Sequence, residues 1–296
     1  MTTDGTPTVQ ILHVLGDWQF ADPYACAAVV GQALVLASYC VGVLFIRRRG
    51  RLWPRRRLVC FGSGVVVLNF ALASGLLTYD DRVFSVHVVQ HVLLMMVAPP
   101  LLALGAPVAL ALQVLPRRWK APLIWAFRRR TLHRVASLRV SACIYFAGMY
   151  LYFLTPFYGY TLAHEFVHNT VHVAMFSLGC VYWWPMVGED PVPGRPSAGA
   201  RSVAMLVGLP FEVLLAFLMA ESSRLARQYP LEDLSTGAVI FASSSCATAL
   251  AAVFLIRFQR EAGLRGRGRG QRQHKCQPGP RCVKSVVQSA LDIDSS

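Results

Sequence analysis

Long apolar runs recur along this chain, separated by short polar connections. Each reaches about 18 residues or more, the length a helix needs to span a bilayer. Seven can be traced: 24–46, 58–79, 86–104, 140–158, 166–187, 203–220 and 238–258. The pattern predicts an all-α polytopic membrane protein, a bundle of seven transmembrane helices. Residues 1–23 lead into it, 24–258 form the membrane domain, and 259–296 make a basic tail that is expected to be disordered. The third run carries Met95-Met96-Val97-Ala98-Pro99-Pro100. Proline lacks a backbone donor and crowds the preceding turn, so a kink or break is expected near Ala98. The apolar stretch 101–115 then continues as a second half-helix or an interfacial segment. Gly188-Glu189-Asp190-Pro191-Val192-Pro193-Gly194 reads as a turn-rich connection.

Composition agrees: 55% of the residues are hydrophobic, 15% are charged, and mean hydropathy is +0.45. A soluble domain carries roughly 25% charged residues. The net charge of +14 suggests nucleic acid at first. Position argues against it, because 26 of the 29 Lys and Arg residues fall in alternate connections or the tail. By the positive-inside rule the N-terminal segment is extracytoplasmic and the C-terminus cytoplasmic. The Gly/Arg-rich tail is then drawn to anionic membrane lipid. The eight cysteines include no C-x-x-C pair, and five (Cys26, Cys40, Cys143, Cys180, Cys246) lie inside apolar runs. No disulfide framework is expected. Residues 1–22 hold no Lys or Arg and no apolar core, so they do not read as a cleavable signal peptide.

The chemistry concentrates in two histidine stripes. His164, His168 and His172 open the fifth run at i, i+4 and i+8; His87 and His91 open the third. Steps of four keep side chains on one helical face. Both helices run inward from the outer face. Equal rise per residue puts His87 level with His168 and His91 level with His172, so adjacent helices would bring four imidazoles together at two levels. His164 stays at the surface. It lies about 12 Å along the axis from His172, too far for one ion to take both. Met95 extends the first stripe by four residues, and Met175 follows His172 by three. Imidazole suits copper, zinc, iron and nickel, while thioether selects Cu(I). A His-rich entrance above methionine favours copper, with His87, His91, His168, His172, His164 and Met95 as candidate ligands.

Other uses of the same residues stay open. An imidazole can be an axial haem ligand, although these rings lie near helix mouths. Asp80, Asp81, Glu165 and Glu212 could join the histidines in a proton relay or a metal- or proton-coupled transporter. His164-Glu165-Phe166-Val167-His168 spells the zincin pattern H-E-x-x-H, but it straddles a membrane boundary and no third ligand follows at zincin spacing. Residues 238–258 contain no Lys, which removes a retinal Schiff base. Each histidine taken alone is also consistent with a plain hydrogen-bonded core residue.

The segment His87-Val88-Val89-Gln90-His91-Val92-Leu93-Leu94-Met95-Met96-Val97-Ala98-Pro99-Pro100-Leu101-Leu102-Ala103-Leu104-Gly105-Ala106-Pro107 resembles the signature of the seven-span CtaG-like cytochrome c oxidase assembly factors. Leu154-Thr155-Pro156-Phe157-Tyr158, Tyr182-Trp183-Trp184-Pro185 and Gly188-Glu189-Asp190-Pro191-Val192-Pro193 add to the likeness, which covers roughly residues 22–258. The resemblance implies a non-catalytic part in assembling a haem-copper oxidase, with copper handled for it. The partners implied are an oxidase subunit or other assembly factors. It maps metal-site histidines onto His87, His91, His168 and His172. Three positions depart from the family pattern: Leu154 and Glu212 stand where histidines are often found, and Val171 where a Glu is common.

Overall fold

The computed structural model describes residues 18, 19, 22–191 and 195–275. Most of the expected segment 1–23 and the end of the basic tail lie outside the described residues. Every regular element among the described residues is helical. The chain divides into two compact units, Met1–Val253 and Phe254–Ser296. The packing described below belongs to the first.

The principal helices are α1 Pro23–Arg48, α2 Arg55–Ala73, the short α3 Leu76–Tyr79, and α4 Phe84–Val92, which passes through a π turn, Leu93–Val97, into α5 Ala98–Leu104. After these come α6 Pro107–Val114, α7 Arg117–Arg128, α8 Arg130–Val135, α9 Leu138–Leu154, α10 Phe157–Leu162, α11 Glu165–Val187, α12 Ala198–Ala220 and α13 Leu231–Lys275. Among the described residues, six stretches are long and apolar enough to cross a membrane: Pro23–Arg48, Arg55–Tyr79, Phe84–Val114, Glu165–Val187, Ala198–Arg227 and Leu231–Glu261. The expected fourth span is the apolar but shorter α9, of 17 residues. It stops early because Thr155 turns extended before Pro156, as residues preceding proline do. The backbone of α13 stays helical to Lys275, past Phe258, where the sequence suggested an unstructured tail.

The expected proline kink takes a particular form. Pro99 cannot donate to the carbonyl of Met95, four residues earlier. The helix widens just before it, with Ala98 N–H bonding to the Leu93 carbonyl five residues back. The Met95 carbonyl is not orphaned, because Trp183 Nε1 of α11 donates to it at 2.8 Å. At Gly179 of α11 an added Cβ would lie 2.7 Å from the same carbonyl oxygen. Glycine therefore lets α11 approach the widened turn closely.

The helix is interrupted further on, at Ala106, which is left-handed (φ 52°, ψ 51°). There Tyr39 donates to the Gly105 carbonyl at 2.7 Å, and Trp53 donates to Tyr39 at 3.0 Å. Tyr39, Phe61, Val65, Leu102, Ala106 and Leu110 pack together around this break. Asp190 caps the next helix, accepting from Ala109 N–H at 2.6 Å and from Trp184 Nε1 at 3.0 Å. Glu189 pairs with Arg56 at 3.0 Å and Arg57 at 2.8 Å. The turn-rich connection is thus pinned to the basic start of α2.

Candidate metal centre

The site begins with α4. Val83 precedes it with no side-chain cap of its own. The cap comes from Asp233, 149 residues further on, whose carboxylate accepts from Phe84 N–H at 2.7 Å and Ser85 N–H at 3.1 Å. A helix N-terminus holds unsatisfied donors and partial positive charge, so a carboxylate there fixes its position. Gly237, one turn along α13, leaves room for the Phe84 ring.

On α4, His87 and His91 stack one turn apart, ring centroids 4.4 Å from each other. On α11, His168 and His172 lie 4.5 Å apart. Across the helices His87 faces His168 at 5.6 Å, and His91 faces His172 at 5.6 Å. This is the two-level arrangement expected from helical rise. All four rings are buried, His168 the least, at 8% exposure. Tyr152 and Phe153 of α9 close one side against His91, at 5.1 and 5.5 Å.

Asp80 joins them from the turn after α3. Its carboxylate accepts from His168 Nε2 at 3.0 Å and lies 3.6 Å from His172 Nε2. Its backbone carbonyl accepts from His87 Nδ1 at 3.1 Å, which fixes that tautomer and leaves Nε2 with the lone pair. Burial pushes the Asp80 carboxyl above its ordinary range, and the His168 hydrogen bond pulls it partly back. One ligating atom from each of Asp80, His87 and His168 falls within 4.8 Å of the others. Tyr152 donates to His87 Nε2 at 3.2 Å; Thr161, 3.4 Å from the same hydroxyl, offers it another acceptor. His87 Nε2 can thus be released without stranding the phenol.

An open cleft of about 370 Å³ leads to this group. Asp22, Asp80, Asp81 and Glu165 line it, together with His168 and Asn169. Four carboxylates at a mouth raise the local concentration of cations. Beyond the rim, Tyr229 donates to the Asp81 carbonyl at 3.3 Å, and Tyr158 contacts Tyr229 at 3.0 Å between hydroxyls.

Two candidates lie outside the group around Asp80, as their sequence positions suggested. His164 is exposed at the start of α11, bonded through Nδ1 to the Tyr160 carbonyl at 2.9 Å and stacked on the Tyr160 ring at 4.1 Å. The H-E-x-x-H pair is therefore split: His164 turns to Tyr160, His168 to Asp80. Met95 is fully buried in the π turn one helical turn beyond His91. Glu212 lies apart, buried in α12. Asp80 was visible in the sequence only as a possible relay member. A carboxylate pair ending an apolar run in a charge-poor chain is the one local sign of it.

The model of the cytochrome c oxidase caa3 assembly factors matches residues 37–261. Uncharacterised proteins of Mycobacterium bovis and Mycobacterium tuberculosis are each 30% identical over 224 residues, and one of Mycobacterium leprae is 28% identical over 223. Each alignment covers 72% of this chain and 33% of the relative. The chain thus spans about a third of the length of these curated relatives. No solved structure matches it.

Proposed function

This chain belongs to the cytochrome c oxidase caa3 assembly factor family, and on that premise we propose that it binds copper and passes it to the oxidase under assembly. The observation that carries this reading is the clustering of four buried imidazoles beside Asp80, whose carboxylate bonds His168 and lies near His172, at the foot of an acidic cleft. Buried polar groups ordinarily find partners. Here both ring nitrogens of His91 and of His172 lack a hydrogen bond. Neutral imidazoles with one carboxylate form a donor set that suits a divalent or monovalent copper ion. The ion is cargo, so the role requires no catalysis. It first meets Asp80, His87 and His168, with His168 nearest the opening.

The chain is a multi-pass membrane protein, and we place it in the bacterial cytoplasmic membrane with α9 as a seventh, short span. The N-terminus is then outside, the C-terminus cytoplasmic, and the cleft opens on the outer face. Contacts between connections support this alternation. Glu189 pairs with Arg56 and Arg57 at one end of the bundle, while Asp233 caps α4 at the other. Partners on this reading are an oxidase subunit or other assembly factors. A transporter built on the same histidines would need a polar route beyond His172. Toward α5 the packing is instead Met175, Gly179 and Trp183 against the π turn, which favours delivery.

The test is the metal content of the full chain, purified in detergent and loaded anaerobically with copper, beside an Asp80→Asn/His168→Ala variant. Bound copper that the variant loses in whole or in part supports the reading. A protein that holds no copper, or holds it equally in both forms, overturns it.

A further inference from the structure

The deeper pair, His91 and His172, has features that the outer group does not share. The outer imidazoles are tied to protein: His87 to the Asp80 carbonyl and Tyr152, His168 to the Asp80 carboxylate. The deeper ones carry four ring nitrogens, all buried and all without a hydrogen bond. Leaving such groups unpaired in an apolar bundle is costly. Their rings stand at about the cross-helix separation of the outer pair, 5.6 Å between centroids. Metal–imidazole bonds run about 2 Å, so an ion fits between two rings so placed. The surroundings are dry: Tyr152 stacks on His91, Phe153 meets its edge, and both are buried.

We propose that His91 and His172 form a second copper position, selective for Cu(I), one helical turn below the position at Asp80, His87 and His168. It rests on the copper reading above and adds a relay of two positions. Ligand chemistry separates them. The outer position includes a carboxylate and accepts either oxidation state. The deeper one has neutral imidazoles, with thioethers Met95 and Met175 following on the same two helices, and such soft donors select Cu(I). Asp80 links the levels, because Oδ2 bonds His168 and lies 3.6 Å from His172 Nε2. The passage ends there. Immediately beyond, the Gly179 contact and the Trp183–Met95 hydrogen bond bring α11 against the π turn. An ion that enters from the cleft therefore stops at His91 and His172 and leaves by the way it came.

The experiment titrates the full chain in detergent with Cu(I), anaerobically, against a chromogenic Cu(I) chelator, and separately with Cu(II) in the absence of reductant. Two Cu(I) per chain and one Cu(II) are expected. His91→Gln/His172→Gln should lower the Cu(I) count to one and leave Cu(II) unchanged; His87→Gln/His168→Gln should abolish Cu(II) and retain one Cu(I). Copper-edge X-ray absorption of that last form should show nitrogen with sulfur rather than oxygen. One Cu(I) per wild-type chain, lost with His87→Gln/His168→Gln and kept with His91→Gln/His172→Gln, overturns the second position and leaves the copper reading standing. No copper in any form overturns both. The wild-type count decides between one position and two even if a double variant fails to fold.

Discussion

Gly179→Ala puts the joint between α11 and the π turn to the test. A Cβ at that position would stand 2.7 Å from the Met95 carbonyl oxygen, 2.7 Å from Pro99 Cγ and 3.0 Å from Met95 Cα. Ordinary contacts of this kind begin near 3.4 Å. Two of the three atoms are backbone and the third belongs to a proline ring, so no flexible side chain can yield. The helices must part by roughly 0.5 Å or more, and overpacking of this kind costs about 1–3 kcal/mol. The separation also stretches the Trp183–Met95 bond, now 2.8 Å, on which the carbonyl opposite Pro99 depends. At about 2–4 °C per kcal/mol for a domain of this size, the apparent melting temperature in detergent should fall by several degrees. Because His91 and Met95 share one helix and His172 and Gly179 the other, the gap between imidazoles opens too. Loss of about 1.4 kcal/mol of binding would weaken copper tenfold. Gly31→Ala is the control, since nothing lies within 4 Å of a Cβ there; it should stabilise α1 slightly. If Gly179→Ala melts with wild type and holds copper equally well, the close approach does not set the site geometry.

Three further outcomes are expected. Asp233→Ala strips the cap from α4, leaving two N–H donors unpaired; thermal melts should report a loss of about 1–2 kcal/mol, with Asp233→Asn in between, whereas no change would mean that α4 is held by packing alone. Tyr152→Phe should leave copper content intact in metal analysis, because the phenol only donates to His87 Nε2; a loss would make the hydroxyl a ligand. Deleting residues 264–296 should leave oxidase assembly, read as cytochrome c oxidase activity in cells, largely unchanged, and full loss would give the tail a role beyond the membrane surface.

The helical repeat and rise are fixed by backbone geometry, so the sequence alone determined which histidines share a face and which share a level. His87 facing His168 and His91 facing His172 needed only that α4 and α11 be neighbours. Apolar run lengths likewise determined the helical class, and Pro99 determined where α4 must deform. What form the deformation took was a tertiary matter, because Trp183 and Gly179 of α11 supply the hydrogen bond and the space that a widened turn requires. Asp80 entered the site, and His164 turned to a neighbouring carbonyl, for the same kind of reason. Asp80 sits in a turn whose direction is set by packing, and His164 lies where the helix begins and a local carbonyl competes for its ring. Asp233 capping Phe84 across 149 residues has no trace in either local pattern. Spacing along one helix is local and legible, whereas partners drawn from turns and distant helices depend on how the chain closes upon itself.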